Sequence, residues 1–262
     1  MSAAPPAPSV PASHLVEGAG WALFVDFDGT LVDIVARPED VAVDPKLKET
    51  LVRLHAQLDG ALAIVTGRAV AVVDDFLEPV RLDVAGLHGV ERRVGPRVAI
   101  PRTDERIAAL AVTLADEYAV IPGIVVENKG RTVALHWRLA PDRAEEAMAR
   151  MRAAVATLGD GYRLQWGKAV AEILPAGVSK GVAIEEIMAL PPYAGRRPIF
   201  VGDDLTDEHG FEAVNRLGGV SIRVGEGSTV AKRRLPDPSA FRFLLSTWAE
   251  AGAIALEETA DA

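Results

Sequence analysis

Cysteine is absent from the 262 residues, so disulfides and thiolate metal sites are excluded, and a reducing compartment is permitted without being required. Also missing is any apolar run of about 18 residues or more, the length that marks a membrane-spanning helix. An excess of positive charge is lacking too: 28 Lys and Arg stand against 37 Asp and Glu, for a net charge of −9. A broad basic surface for nucleic acid is therefore not expected, although a few placed cations and a metal suffice for one small phosphate. The first 20 residues contain neither Lys nor Arg and no continuous apolar stretch, so both marks of a signal peptide are wanting. Rich in Pro, Ala and Ser, residues 1–20 are expected to form a disordered leader. There is no internal repeat, and no Walker-type loop to hold a nucleotide. What remains is the expectation of a globular, cytoplasmic monomer, and 49% hydrophobic with 25% charged residues suit a core with a smaller companion domain.

The core is expected to begin at Trp21. Ala22–Phe27 is a short apolar run that stops at acidic residues and Gly29, the pattern of a buried parallel strand followed by a loop. Leu47, Leu51, Leu54 and Leu58 recur at helical spacing, and Ala61–Val65 is a second apolar run ending at Thr66-Gly67-Arg68. Strand, helix, strand in this order predicts a parallel α/β sheet, which presents ligand-binding groups at the carboxyl ends of its strands. A different rhythm follows: a helix over 104–118, strands near 124–127 and 132–137, a helix over 141–158, and strands near 162–165 and 169–174. This predicts an α/β unit over 105–175 inserted into a core formed by 21–104 and 176–262. Core elements then resume with a helix over 179–188, the strand Pro198–Val201, a helix over 211–217 and a strand over 220–224. Beyond Ser246 the sequence reads as a frayed helix and tail.

Four short motifs fall at predicted strand or helix ends of one sheet: Asp26-Phe27-Asp28-Gly29-Thr30, Thr66-Gly67-Arg68, Ser179-Lys180-Gly181, and Gly202-Asp203-Asp204 with Asp207. Each alone has a plain reading as a cap, a turn or a solvated side chain. Together they supply the groups that phosphoryl transfer through an aspartyl-phosphate requires. A carboxylate nucleophile approaches an anionic ester only if the repulsion is cancelled. Mg²⁺ held by Asp26, Asp203 and the main-chain carbonyl of Asp28 would do this, since a hard cation prefers oxygen donors. Asp204 and Asp207 would orient its water ligands. Lys180 and the Thr66 hydroxyl would stabilise charge on the phosphoryl group. Asp28, two residues past Asp26, either shares its face or swings toward the leaving group, where it would serve as general acid and then base.

Quoted as VDFDGTL, IVTGR, SKG and GDDLTD, the motif set resembles the haloacid dehalogenase superfamily of phosphatases. GLHGVE (86–91), ENKG (127–130) with His136-Trp137-Arg138, EILPAGVSKG (172–181) and GDDLTDEHGFEAVNRLGG (202–219) further resemble bacterial trehalose-6-phosphate phosphatases, over about 21–245. The resemblance implies a Rossmann-like parallel-sheet core with a smaller inserted α/β cap. It also implies Mg²⁺ as cofactor and trehalose 6-phosphate as substrate. Glu127, Lys129 and Glu172 are then placed on sugar hydroxyls, with Gly67, Arg68, His88 and His136 near the sugar or the phosphate. The residue-level alternatives stay open: Lys129 as a solvated turn lysine, His88 and His136 as structural histidines, Glu172 as a solvent-facing strand residue. Two other functions also stay open, a phosphatase of another sugar phosphate such as sucrose 6-phosphate or mannosylglycerate phosphate, and a non-catalytic sugar-phosphate-binding module.

Overall fold

Five consecutive apolar residues, Trp21–Val25, are all buried, as a strand covered on both faces requires. Around that strand a computed structural model describes residues 16–17, 20–35, 40–102, 104–256 and 260–261. The first part of the chain contains β1 (Val16–Glu17), β2 (Trp21–Val25), α1 (Pro45–Gln57), β3 (Leu62–Val65), α2 (Val70–Leu77), β4 (Asp83–Gly86), β5 (Glu91–Val94) and β6 (Arg97–Ala99). The middle part holds α3 (Glu105–Tyr118), β7 (Val125–Asn128), β8 (Val133–His136), α4 (Ala144–Leu158), β9 (Tyr162–Gly167) and β10 (Val170–Pro175). The last part returns with α5 (Lys180–Met188), β11 (Arg197–Gly202), α6 (Glu208–Arg216) and β12 (Val220–Val224). It ends with β13 (Arg233–Leu235), α7 (Pro238–Ala251), β14 (Ala253–Ile254) and β15 (Ala260–Asp261).

The large sheet has the order β15-β13-β12-β11-β2-β3-β4-β5-β6. Its centre, β13 through β4, is parallel, while β15, β5 and β6 add antiparallel edges. The middle part forms a separate antiparallel sheet, β7-β8-β10-β9, backed by α3 and α4. Ile107, Leu114, Leu135, Met151 and Ile173 belong to a hydrophobic cluster of its own, distinct from the one around Phe24, Leu51, Phe200 and Trp248. The fold is therefore a Rossmann-like parallel-sheet core with a smaller α/β layer inserted between β6 and α5.

Helix starts follow local chemistry. Asp44, Asp104, Ser179 and Asp237 each cap a helix by accepting a first-turn amide. Pro141 begins a 3₁₀ turn (Pro141–Arg143) ahead of α4, so the regular helix starts three residues later than expected.

Two expectations are corrected. Structure begins before Trp21, because Val16–Glu17 pairs antiparallel with Ala253–Ile254; residues 1–15 and 18–19 of the expected leader lie outside the described residues. The described residues 247–256 of the stretch after Ser246 are no frayed end, while residues 257–259 and 262 lie outside the described residues. Phe241, Leu244, Leu245 and Trp248 form a buried stripe of α7, and the fully buried Trp248 donates its Nε1–H to the Ala255 carbonyl (2.6 Å). Between Gly67 and Asp104, α2 and β4–β6 were not anticipated.

Candidate active site

β2 lies between β11 and β3, so its carboxyl end opens at the middle of the sheet. Asp26 follows it directly, its amide donating to the Val201 carbonyl (2.9 Å). The chain then folds into a tight loop in which the amides of Leu31 and Val32 donate to the Phe27 carbonyl. Gly29 adopts φ +78°, and a Cβ there would lie 2.4 Å from Asp203 Oδ2. Only glycine lets this loop sit against the acidic end of β11. Gly202 is similarly constrained, since a Cβ would meet the Asp207 carboxyl at 2.4 Å.

Lys180 opens α5 and is nearly inaccessible. Its ammonium donates to Asp26 Oδ1 (2.7 Å) and to Asp207 Oδ1 (2.6 Å). Asp207 Oδ2 accepts the amides of Asp203 (3.0 Å) and Asp204 (2.9 Å). Both Asp207 oxygens are thus engaged in holding Lys180 and the acidic loop. Ligand atoms of Asp26, Asp203 and Asp207 lie within 4.8 Å of one another, all buried. Burial raises the pKa of Asp26 well above its ordinary value, repulsion by Asp207 and Asp203 adds to this, and Lys180 offsets part of it. Asp203 is pushed up to about 6, again by burial first and by Asp207 second. Burial alone would lower Lys180, but attraction to Asp207 and Asp26 outweighs it and holds the ammonium above its usual range.

Asp28 points to a different partner. Arg68 grips both its oxygens, Nε to Oδ2 and Nη2 to Oδ1, each at 2.7 Å, while its guanidinium lies over the Phe76 ring. Thr66 is buried after β3, and its hydroxyl accepts the Arg68 amide (3.2 Å).

The inserted layer contributes a second polar cluster. Lys129 donates to Glu172 Oε2 (2.9 Å) and to the Gly67 carbonyl (3.1 Å), crossing from the β7–β8 turn to the loop after β3. Glu172 is buried, not solvent-facing; Thr132 donates to its Oε1 (2.6 Å), and His88 Nε2 lies 3.3 Å from its Oε2. Burial by itself would raise Glu172, yet Lys129, His88 and Thr132 hold it well below the usual carboxylate range. His88, at φ 59°, is pushed down by burial and so stays neutral near pH 7. Its Nδ1 is buried without a hydrogen-bond partner. Lys129 is held above its ordinary value, Glu172 and Glu127 overcoming burial. Glu127 Oε2 accepts from His136 Nε2 (3.0 Å) and sits 3.7 Å from Lys129.

Two contacts were not anticipated from the sequence. Lys168, in the β9–β10 turn, brings its ammonium to 3.8 Å from Asp203 Oδ2. Glu91 and Arg131 meet at 2.6 Å. Neither pair has a sequence signal, because each joins a turn of the inserted layer to a strand end of the core far away in the chain.

The predicted residues therefore form two groups, Asp26, Asp203, Asp207 and Lys180 on the core and Glu127, Lys129, His136 and Glu172 on the inserted layer, bridged by Gly67 and His88, while Arg68 stays on Asp28. Asp204 stays at the edge, its amide bound by Asp207. A Rossmann-like sheet with acidic groups at the carboxyl end of its central strands is the architecture of the haloacid dehalogenase phosphatases, and this chain shares it. A model of the trehalose-phosphatase family matches residues 24–239, and the chain belongs to that family. It is 43% identical over 235 residues to a probable trehalose-phosphate phosphatase of Sinorhizobium fredii, covering 87% of this chain and 88% of the relative. Over 219 residues it is 42% identical to a trehalose-6-phosphate phosphatase of Escherichia coli, covering 83% and 82%. The solved structure of a trehalose-6-phosphate phosphatase related protein superposes with a TM-score of 0.74 at 27% identity, covering 88% of this chain and 98% of that one. The chain is accordingly a phosphoric monoester hydrolase. No helix among the described residues is long and apolar enough to cross a membrane.

Proposed function

We propose that this enzyme hydrolyses trehalose 6-phosphate to trehalose and phosphate through an aspartyl-phosphate on Asp26. One observation carries the substrate reading: Lys129 on the inserted layer reaches the Gly67 carbonyl, so the cluster Glu127, Lys129 and Glu172 closes over the acidic end of the sheet. Hydrogen-bonding groups placed there suit a hydroxyl-rich disaccharide. The layer is read as a cap, residues 105–175, that shuts bulk water out.

The donor set fits Mg²⁺. Asp203 Oδ1 is buried without a hydrogen-bond partner, and of three crowded carboxylates Lys180 pairs with only two, Asp26 and Asp207, which leaves hard oxygens short of positive charge. Asp26, Asp203 and the main-chain carbonyl of Asp28 would hold the ion, which when bound supplies the charge that lets a carboxylate meet an anionic ester.

In the chemical step an Asp26 oxygen bonds to phosphorus as the bond from phosphorus to the sugar oxygen breaks. Asp28 gives its proton to the departing oxygen. Asp28 then takes a proton from water, whose oxygen attacks phosphorus and releases Asp26 and phosphate. For the first proton transfer Arg68 must let go of Asp28, and the dianionic phosphate is the competing partner for its guanidinium. Lys180 opposes the burial that favours the neutral form of Asp26 and, with Thr66, balances charge on the phosphoryl group.

The test is phosphate release with Mg²⁺ from trehalose 6-phosphate, glucose 6-phosphate, sucrose 6-phosphate and an aryl phosphate, alongside Asp26→Asn. Preference for trehalose 6-phosphate by about tenfold or more, lost in a folded Asp26→Asn, is expected. Substantial activity in that variant would overturn the nucleophile assignment, and preference for another sugar phosphate would overturn the substrate.

A further inference from the structure

Glu91 ends the GLHGVE segment, and nothing in the proposed chemistry uses it. Its side chain is buried at the head of β5, and its two oxygens go to different parts of the molecule. Oε2 accepts the amide of Val70 (2.9 Å), the first residue of α2, a helix whose own N-cap residue, Ala69, offers no side-chain acceptor. Oε1 accepts Nη1 of Arg131 (2.6 Å), in the β7–β8 turn of the inserted layer. Arg131 also donates its Nε–H to the Pro101 carbonyl, on the segment by which the chain leaves β6 for that layer.

The same two ends carry Lys129 and Gly67. Lys129 is two residues before Arg131, in a turn fixed by its own amide on the Thr132 carbonyl (3.1 Å) and by the Gly130 amide on Asn128 Oδ1 (2.9 Å). Gly67 is three residues before Val70. One buried carboxylate thus ties down both partners of the Lys129–Gly67 contact. We infer that Glu91 and Arg131 form a clasp between core and inserted layer, and that both are positioning residues which set Lys129 and Glu172 over the reacting end of the sheet. This rests on the cap reading given above.

A buried carboxylate bound to a charged partner and an amide is costly to break on one side. The alternative is that Glu91 merely caps α2, in which case Arg131 matters little. Arg131→Met, Arg131→Lys, Glu91→Gln and the double variant Glu91→Gln with Arg131→Met separate the two. With Arg131→Met, KM for trehalose 6-phosphate is expected to rise about tenfold, aryl phosphate turnover to stay within about twofold, and Arg131→Lys to recover part of the loss. Losses in the double variant are expected to be less than additive. Equal losses on both substrates, or additive losses, overturn the clasp.

A readout independent of substrate uses the absence of cysteine. Spin labels on Val120→Cys in the inserted layer and Leu217→Cys in the core, both exposed, report the distance between the two parts. Arg131→Met is expected to broaden or lengthen a single narrow distance distribution, whereas an unchanged distribution overturns the proposal. If the unmodified enzyme showed no preference for trehalose 6-phosphate, the substrate reading would fall while the distance measurement still decided the clasp.

Discussion

Three buried carboxylates crowd the centre of the site, two of them on the Lys180 ammonium and the third, Asp203, 3.8 Å from Lys168, and the balance among them sets how the protein behaves without metal. At separations under 5 Å and an effective dielectric near 20, each carboxylate pair repels by about 3–4 kcal/mol. Lys180 is what makes the cluster tolerable. Lys180→Met would leave Asp26 and Asp207 buried and unpaired, and removing one partner of such a pair costs about 3–5 kcal/mol. Urea unfolding at pH 7 should show a loss of that order, smaller at pH 5, where Asp203, whose pKa is pushed up to about 6, has taken up its proton and the cluster carries less negative charge. A loss equal at both pH values would mean that packing of the lysine stem, not its charge, is what counts. Asp26, Lys180 and Asp203 could be read as candidates from the sequence because each sits at the end of an apolar run or the start of a helix and the motifs together meet at one sheet edge. The engagement of Asp207 was not legible, since its two oxygens are claimed by a lysine 27 residues away and by its own loop amides.

At the scale of elements, β2 and β11 run parallel and deliver Asp26 and Asp203 to one opening. Folding places Asp203 where its pKa is about 6 against an ordinary 3.8, so the folded state binds more protons than the unfolded one between those values. The metal-free protein therefore loses stability as pH rises through that window. On the proposed reading Mg²⁺ competes with those protons, and its stabilising effect should grow with pH. Thermal melting with and without Mg²⁺ should show a larger upward shift at pH 7.5 than at pH 5; equal shifts would place the ion elsewhere. The strands that build this opening were readable because they are apolar throughout. β5 (ERRV) and β6 (RVA) were not, because Arg93 is buried by pairing with Asp74, and an arginine-rich segment gives no alternation of apolar and polar residues to follow. The end of α7 was misread for a related reason: Ala and Glu dominate after Ser246, and the stripe that buries Trp248 shows only when Phe241, Leu244 and Leu245 are counted with it.

For the whole molecule, the two hydrophobic clusters have separate memberships, and the chain passes between the parts only around 99–104 and 175–179. Polar contacts such as Lys129–Gly67, His88–Glu172 and Glu91–Arg131 join them. Parts joined in this way open at their own free energies, in the manner of inter-domain contacts that let one domain move against the other. Leu135 is fully buried in the smaller cluster, on the strand facing Glu172. Leu135→Ala should cost about 2–5 kcal/mol there, as a cavity of that size does. If the inserted layer is a cooperative unit of its own, amide exchange in this variant should accelerate across residues 105–175 and remain near that of the unmodified protein in β2, β3 and β11. If trehalose 6-phosphate depends on the layer's polar cluster and an aryl phosphate only on Asp26 and Lys180, as proposed, turnover of the first should then fall more than turnover of the second. Uniform acceleration over both sheets would instead mean that the polar bridges weld the two cores into one folding unit. Closure over the substrate would then have to be a small adjustment of turns and side chains, with no rigid movement of the layer.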